Sequence, residues 1–439
     1  MRTAGLLPLY FLYKFFLSLE TIHLLRDILS ILFPFLSILH LTLLQVGVIN
    51  LLYRKYGKTN EMVSVLGFGC MRLPIIDGDT THIDENKAIK MIRHAIDEGV
   101  NYIDTAYPYH GKGMEHGGES EPFVAKALKD GYRERVKLAT KLPSWLIKTR
   151  TDMDRYLNEQ LERLQTDTID FYLVHTLNAT TWPILKEAGI CDFLDQAIKD
   201  GRIKHAGFSF HERIGLFKEI VDYYDWSFCQ IQYNYLDETY QAGKEGLEYA
   251  AKKGLGIAIM EPLRGGKIAE NLPEDALTFF NQADNKRTPA EWALRWVWNH
   301  PEVSVALSGM TTMDHVTENI KITQDAQANS LTEKEIGIIN QVKTLFKKRI
   351  KVNCTACAYC MPCPAGVNIP GCFTILNDYL ISGGTPELKD RFKHLYNFRV
   401  GAAAHASKCV DCGKCESHCP QGILIRQELN TVKELFESI

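Results

Sequence analysis

The chain has 439 residues, enough for two or three domains, and with 46% hydrophobic and 23% charged residues it is ordinary for a globular protein. Its formal net charge of −3 gives no indication of a nucleic-acid partner or of an acidic partner. All the cysteines except Cys70, Cys191 and Cys229 lie between Cys354 and Cys419, which favours a metal-binding C-terminal domain in a reducing compartment over scattered disulfides.

An apolar segment, residues 28–52, precedes the rest of the chain, and His40 is its only titratable side chain. Because about 20 apolar residues cross a bilayer core, the segment is long enough for a transmembrane helix. Basic residues flank both of its ends and leave the orientation open. Two interpretations of residues 1–52 stand: a membrane anchor, or an over-extended start that precedes the working protein. We expect a cytoplasmic protein, held at the membrane if the first interpretation applies.

From about residue 63 to residue 325, short apolar strands alternate with amphipathic helices. Asp84, for example, is expected to cap a helix that carries Ala88, Ile92 and Ala95 on one face. Eight such strands over about 260 residues predict an α/β fold, a closed parallel (β/α)8 barrel of the TIM type. The predicted strands are 65–69, 102–105, 136–142, 169–175, 205–210, 228–233, 256–260 and 303–307, and the predicted helices include 84–98, 152–164, 190–200, 243–253 and 289–298.

An open doubly wound sheet is the competing architecture. It is expected to carry a glycine-rich dinucleotide-binding turn after its first strand. Here Gly67-Phe68-Gly69 lacks the third glycine and continues into Cys70-Met71-Arg72, which does not begin a helix. We therefore predict the barrel, in which the chemistry is expected at the C-terminal ends of the strands.

Four polar residues lie at or just after the ends of predicted strands. Asp104 ends the second strand, Tyr109 lies in the loop that follows it, Lys141 ends the third strand and His175 ends the fourth. Taken alone, such a lysine is usually a surface residue and such a histidine a core residue. Because all four fall on the same rim of one predicted barrel, we predict that they form a catalytic site, called the tetrad below.

The tetrad suits the interconversion of a carbonyl and an alcohol. A carbonyl that receives a hydride on carbon needs a proton on oxygen, and Tyr109 would supply it. A tyrosine has a pKa of about 10, so we expect the Lys141 ammonium to lower that pKa and Asp104 to hold the ammonium in place. His175 is expected to hydrogen-bond to the substrate carbonyl and orient it.

Asp104-Thr105-Ala106 with Tyr109, Lys141 in Ala-Thr-Lys-Leu and His175 in Tyr-Leu-Val-His resemble the aldo/keto reductase superfamily, over residues 53–347. The resemblance implies a barrel that binds NAD(P)H without a Rossmann domain and acts on a small carbonyl or alcohol substrate. It also implies the cofactor contacts. They are Ser209 and Gln230 at the carboxamide, Pro262, Leu263 and Gly265 along the pyrophosphate, Ser308 and Gly309 at the phosphate site, and Glu318 and Asn319 at the adenine.

Three positions depart from the family pattern. Met260 ends the seventh strand, where many members place an aromatic residue against the nicotinamide. Gly309 and His315 stand where members that prefer a 2′-phosphate carry basic residues, so NADH and NADPH are both open. The structural alternatives to cofactor contact are that Ser209 caps the following helix and that Gln230 pairs with backbone.

Two cysteine runs mark a predicted domain at residues 348–439. The second run matches the bacterial ferredoxin pattern, in which the fourth cysteine serves the other cluster. We therefore predict two [4Fe-4S] clusters with crossed ligation. The predicted first cluster set is Cys354, Cys357, Cys360 and Cys419, and the second cluster set is Cys409, Cys412, Cys415 and Cys363.

Zinc is the alternative for these runs, because four cysteines with Cys-x2-Cys spacing also suit it.

Cys372 is a spare thiol that either packs in a core or replaces Cys363. Predicted helices at 373–382 and 387–396 resemble the α-helical type of two-cluster ferredoxin domain. The stretch 330–333 predicts the start of the last barrel helix, which leads directly into this domain.

We predict an oxidoreductase whose barrel moves a hydride while its clusters exchange single electrons with a protein partner. A nicotinamide passes two electrons together, so direct exchange with a cluster would need a converter such as a flavin, for which the sequence shows no clear motif. The alternative is an electron carrier or redox sensor that uses the barrel as a nucleotide-binding scaffold.

The mouth of the substrate pocket is expected to be lined by Arg72, Trp145 and Tyr235.

Overall fold

The computed structural model describes residues 51–270 and 272–438. From Leu51 onward the described residues form one compact unit. Nearly all of the apolar segment 28–52 lies outside the described residues, and the predicted transmembrane helix lies outside them with it. Within residues 51–270 and 272–438, no helix combines the length and the apolar character needed to span a bilayer.

A closed barrel of eight parallel strands forms the larger part of this unit, as predicted. Consecutive strands pair around the barrel, and the last strand pairs with the first, where Ala306 lies opposite Leu66. The competing open sheet is therefore wrong. The strands are Leu66–Gly69, Tyr102–Asp104, Lys137–Leu142, Ile169–Leu177, Ile203–Phe210, Phe228–Gln232, Gly256–Met260 and Val305–Ser308.

A short antiparallel hairpin, Tyr53–Lys55 with Met62–Ser64, precedes the barrel. The turn between its strands carries Tyr56, whose ring is fully buried among Tyr102, Phe171 and Phe228 inside the barrel. Two of these partners begin their strands, so the aromatic cluster fills the N-terminal end of the barrel. The opposite, C-terminal rim is left for the polar residues that end the strands.

Helices cover the outside of the barrel, and their caps agree with the sequence. The Asp84 side chain accepts a hydrogen bond from the Lys87 backbone at the start of the first helix. Thr332 and Glu335 form a reciprocal capping box at the start of the last. The helices are Glu85–Asp97, Ser120–Ala127, Arg150–Leu164, Thr181–Glu187, Ile190–Lys199, Ile214–Tyr223, Gly243–Lys252, Glu274–Phe280, Pro289–Trp298, Met313–Ile322 and Glu333–Arg349.

The C-terminal domain is mainly helical and has its own apolar core, which includes Phe373, Leu376 and Val432. Cys372 is fully buried in this core, with its Sγ 3.6 Å from the Tyr396 hydroxyl, and therefore packs rather than standing among the other cysteines. The helices of this domain are Ile369–Ile381, Pro386–Arg399, Lys414–Ser417 and Ile425–Phe436.

The C-terminal domain lies over the C-terminal rim of the barrel. Gln421 donates from Nε2 to the side chain of Gln232, at the end of the sixth strand, over 2.8 Å. Arg72, in the loop after the first strand, donates to the Thr355 carbonyl at 3.2 Å. These contacts place the cysteine runs directly above the rim at which the tetrad was predicted.

Candidate active site and cluster sites

Asp104, Lys141 and Tyr109 come together as predicted. Lys141 Nζ lies 2.8 Å from each carboxylate oxygen of Asp104 and donates to the Thr105 carbonyl at 2.7 Å. It also lies 3.4 Å from the Tyr109 hydroxyl. The contact forms because Asp104 ends the second strand, Lys141 lies near the end of the third, and these strands are neighbours in the barrel. Both charged side chains are buried, so each depends on the other for its charge.

Burial dominates the ionisation of these three groups. It raises the pKa of Asp104 and lowers the pKa of Lys141, and each charge opposes the shift of its partner. The pKa of Tyr109 is raised well above its usual value, first by burial and then by the charge of Asp104. The net shift is therefore upward, whereas a lowered pKa was expected. The hydroxyl stays protonated near neutral pH and is available as a proton donor.

His175 lies on the same rim, next to an irregularity of the fourth strand. The regular pairing of that strand breaks after Val174 and resumes at Leu177. Burial holds the pKa of His175 well below its usual value, so the ring is neutral near neutral pH. Its Nε2 lies 3.2 Å from the hydroxyl of Tyr359, whereas Nδ1 has no hydrogen-bond partner among the described residues.

Tyr359 is a residue of this site that the sequence did not indicate. It belongs to the first cysteine run, between Cys357 and Cys360, its hydroxyl lies 3.2 Å from His175 Nε2, and it lines the same cavity as Tyr109. Cysteine spacing predicts metal ligands but says nothing about where the side chains between them point. Only the docking of the C-terminal domain on the barrel brings Tyr359 next to the tetrad.

Ser209 and Gln230 line the same cavity as Tyr109 and His175, called the nicotinamide cavity below. Ser209 Oγ accepts a hydrogen bond from the Thr176 backbone at 2.8 Å. It does not cap the following helix, which begins after Arg213. Gln230 Nε2 contacts Met260 Sδ at 3.7 Å, and no described residue pairs with Gln230 Oε1.

A second cavity, called the trough below, adjoins the nicotinamide cavity. Arg72, Glu261, Leu307 and Gly309 line both, so the two cavities are immediate neighbours. The trough is lined by all the other residues predicted to contact the cofactor, which are Pro262, Leu263, Gly265, Ser308, Gly309, Glu318 and Asn319.

Polar contacts hold the far end of the trough in shape. Asn319 Nδ2 donates to Ser308 Oγ at 2.9 Å, and Glu318 accepts from the Thr288 hydroxyl at 2.6 Å. The charges along the trough are mostly negative or paired. Arg72 lies 3.3 Å from Glu261, and His315 lies 3.6 Å from Glu270.

An apolar pocket of about 880 Å³ opens beside the tetrad, between the barrel loops and the first cysteine run. Arg72 lines it, as expected. Trp145 packs on the His175 ring with centroids 5.2 Å apart. Tyr235 does not reach the pocket: it is fully buried and packs against Trp296. Its placement at the pocket mouth was wrong, because a position just after a strand end is also compatible with a side chain that points into the core.

The cysteines fall into two groups that mix the two runs. The first cluster set, Cys354, Cys357, Cys360 and Cys419, lines one small cavity. Of the second cluster set, Cys363 and Cys409 are near enough to Cys415 that their charges raise its pKa, after the larger effects of burial and Glu416. Cys412 is exposed. Cys419 thus lies with the first three cysteines of the other run, and Cys363 lies near Cys409 and Cys415, which is compatible with crossed ligation.

Within the described part of the chain, no three or more His, Cys, Asp or Glu side chains are placed as they would be around a single metal ion. The cluster sets are therefore assigned from the cysteine pattern and from the cavity that four of the thiols share. Thiolates are the usual ligands of iron–sulfur clusters, so the residues present fit this group.

Two family models match the chain. Residues 65–344 match the aldo/keto reductase family, and residues 353–424 match the 4Fe-4S dicluster domain. The second match supports iron–sulfur clusters over zinc at the cysteine runs.

The chain is 28% identical to a probable aldo-keto reductase 1 from Glycine max, over 64% of this chain and 86% of that protein. It is 26% identical to a 6-dehydroglucose reductase from Novosphingobium aromaticivorans, over 61% and 88%. The holo form of an aldo-keto reductase from Bacillus halodurans is similar in structure, with a TM-score of 0.55, 26% identity, and coverage of 67% of this chain and 96% of that one.

Proposed function

Since the chain belongs to the aldo/keto reductase family, we propose that it interconverts a small carbonyl compound and an alcohol by hydride transfer with NAD(P)H. It is an oxidoreductase of that family with a C-terminal 4Fe-4S dicluster domain. One observation carries the proposal: Lys141 contacts both Asp104 and the Tyr109 hydroxyl, beside a cavity that adjoins the trough.

When bound, NAD(P)H would supply the hydride that the carbonyl carbon receives. The Tyr109 hydroxyl donates its proton to the carbonyl oxygen as negative charge develops there. The Lys141 ammonium, 3.4 Å away, stabilises the phenolate that remains, and the Asp104 carboxylate keeps the ammonium charged and in place. Neutral His175 donates a hydrogen bond from Nε2 to the same oxygen and orients it. In the reverse direction Tyr109 takes the proton back from the alcohol.

The chain's own residues would hold the cofactor at three places. Ser209 and Gln230 would bind the carboxamide, and Gln230 Oε1 lacks any partner among the described residues. Pro262, Leu263 and Gly265, with Ser308 and Gly309, would lie along the phosphates, and Glu318 and Asn319 at the adenine.

We further propose that NADH is preferred over NADPH. The trough is lined by Glu261, Glu270 and Glu318, whereas its basic residues are Arg72, paired with Glu261, and the histidine His315, beside Glu270. An added 2′-phosphate, which carries close to two negative charges, would therefore be repelled.

The first and second cluster sets are proposed to hold one [4Fe-4S] cluster each and to exchange single electrons with a protein partner. A second candidate function is an electron carrier or redox sensor with the barrel as a scaffold. The nicotinamide cavity favours the enzyme, because Tyr109, His175, Ser209 and Gln230 converge on it.

The test uses anaerobically purified holoprotein, assayed for NADH and NADPH oxidation with a panel of aldehydes and ketones. Tyr109→Phe should lower kcat at least about 100-fold, because it removes the proton donor. Tyr107→Phe is the matched control: it lies in the same loop, but its hydroxyl bonds to Glu159 at 3.1 Å, so its kcat should change by less than about twofold. If the wild type and Tyr109→Phe are equally inactive on every carbonyl while the clusters still accept electrons, the enzyme proposal fails.

A further inference from the structure

The Tyr359 hydroxyl stands where the proposed reaction needs the carbonyl oxygen of the substrate. In that reaction, the oxygen accepts hydrogen bonds from Tyr109 and from His175 Nε2. In the structure, the Tyr359 hydroxyl lies 3.2 Å from His175 Nε2, and Tyr359 lines the same cavity as Tyr109 and His175, close enough to Tyr109 to influence its ionisation. One oxygen atom fits between these two groups, so Tyr359 and a carbonyl substrate exclude each other.

The backbone around Tyr359 fixes this position. Residues 354–360, called the cluster loop below, carry left-handed backbone at Ala356 (φ 57°) and Ala358 (φ 62°), which is uncommon for residues other than glycine. The Thr355 carbonyl accepts a hydrogen bond from Arg72 of the barrel at 3.2 Å. The loop is thus held by the barrel rim, and Tyr359 enters the site from it as a partly buried side chain.

A displaced ring has space to enter. The apolar pocket beside the tetrad is lined by Tyr359 itself and, on the barrel side, by Met71, Leu73 and Ile75, with Met361 from the cysteine run. The same pocket would take the substituent of a bound carbonyl compound. Its lining favours an apolar substituent, such as an aromatic ring or an aliphatic chain, over a charged one.

We propose that Tyr359 is a built-in occupant of the carbonyl-oxygen position, which the substrate must displace, and that the substrate is a neutral carbonyl compound with an apolar substituent. The inference rests on the proposed function of the tetrad. It makes the C-terminal domain part of the substrate site, because Tyr359 lies between Cys357 and Cys360 of the first cluster set. Substrate binding therefore moves the loop that carries these two ligands.

The test compares Tyr359→Phe, which removes the hydroxyl and keeps the ring, with the wild type. The matched control is Tyr379→Phe in the same domain, where the hydroxyl donates to the Gly384 carbonyl at 2.7 Å, away from the tetrad. Benzaldehyde is titrated calorimetrically into the anaerobic holoprotein saturated with NAD⁺, a pair that cannot react by hydride transfer to the aldehyde. Tyr359→Phe should bind benzaldehyde about tenfold more tightly, as expected when one net hydrogen bond no longer opposes displacement, and Tyr379→Phe should match the wild type.

Two further readouts distinguish displacement from other roles. In steady-state reduction of benzaldehyde, Tyr359→Phe should lower KM by a similar factor and change kcat by less than about twofold. Hydrogen–deuterium exchange of the cluster loop should rise when benzaldehyde binds to the wild type. Equal affinity in Tyr359→Phe and the wild type, or a fall in kcat at constant KM, would overturn the proposal, since the second result assigns proton transfer to Tyr359.

The outcomes separate this inference from the proposed function. If Tyr359→Phe binds benzaldehyde more tightly than the wild type but no variant reduces it, displacement is supported and the reductase proposal fails. Turnover with the same KM in the wild type and in Tyr359→Phe removes displacement and leaves the reductase proposal standing.

Discussion

A Cβ atom at Gly265 would stand 2.5 Å from the carbonyl oxygen of Thr355. Gly265 belongs to the loop after the seventh strand, which lines the trough, and Thr355 belongs to the cluster loop. The two backbones therefore pack against each other with no room for a side chain. One wall of the trough is also the support of the first cluster set, so a change in this wall should affect both.

Gly265→Ala is expected to disturb cofactor binding and the first cluster together. Gly266→Ala is the matched control: both glycines have positive φ, at 64° and 88°, but the nearest atoms to a Cβ at Gly266 are 3.8 Å away, on Glu270. An alanine with positive φ costs about 1–2 kcal/mol in both variants. The two variants therefore differ only in the clash with the Thr355 carbonyl. Gly265→Ala should have the lower Tm, the lower iron content and the weaker binding of NADH by calorimetry. Equal values in the two variants would show that the close approach to Thr355 has no such effect.

The buried pair in the tetrad allows stability and catalysis to be separated. Lys141→Met leaves the Asp104 carboxylate buried without its partner, which should cost about 3–5 kcal/mol in the free energy of unfolding. The double variant Asp104→Asn with Lys141→Met removes both charges and should recover most of that loss. The kcat for aldehyde reduction should stay far below that of the wild type in both variants, because both lack the ammonium beside Tyr109. Denaturant unfolding and aldehyde reduction, measured on the same preparations, check this; recovery of kcat in the double variant would contradict the role given to Lys141.

The pKa shifts predict a flat pH profile for kcat in the reduction direction. Burial holds the pKa of His175 well below 6.5, so the ring is already neutral at and above that pH. Burial and Asp104 hold the pKa of Tyr109 well above 10, so its hydroxyl is still protonated at pH 9. Neither His175 nor Tyr109 titrates between pH 6.5 and about 9, so with Lys141 held charged by Asp104, kcat for an aldehyde should vary by less than about threefold there. An alkaline fall with a midpoint near pH 8 would show that Tyr109 or Lys141 titrates there and would contradict this prediction.

Much of the barrel and of its rim could be predicted from the sequence. The apolar strands are short and clearly bounded, and Asp104, Lys141 and His175 each lie at a strand end, so a closed barrel necessarily brings them to one rim. Asp84 was recognisable as a helix cap because its side-chain chemistry acts within one turn. These features depend on local sequence and on one global rule for parallel barrels.

The rest depends on how the two domains meet and on depth of burial. Tyr359 and His175 are 184 positions apart and belong to different domains, so no local pattern relates them. The pKa of Tyr109 was predicted in the wrong direction because the ammonium beside it was visible in the sequence, whereas the burial of the phenol was not. The prediction that Tyr235 lies at the pocket mouth was wrong for the same reason, since its position in the sequence gave no measure of its burial against Trp296.

The charges along the trough predict the cofactor preference. The wild type should have a KM for NADPH at least about tenfold above that for NADH, the effect of placing a phosphate near the carboxylates of Glu270 and Glu318. Glu270→Lys should narrow this ratio, because it replaces the acid beside His315 with a cation. Glu333→Lys changes the net charge equally on a helix outside the trough and should leave the ratio unchanged. An unchanged ratio in Glu270→Lys, or a wild type that prefers NADPH, would remove the proposed NADH preference.

Crossed ligation predicts which cysteine substitutions share a phenotype. Cys354→Ala and Cys419→Ala come from different runs but line the same cavity, so each should lose the first cluster and keep the second. Iron content should fall from about eight to about four atoms per chain in both. The reduced proteins should then give the same electron paramagnetic resonance spectrum, which differs from that of Cys363→Ala. Cys372→Ala is the control: because this thiol packs in the apolar core, the variant should keep all its iron and lose only stability. If Cys419→Ala instead gave the spectrum of Cys409→Ala, each run would hold its own cluster, and the crossed assignment would be wrong.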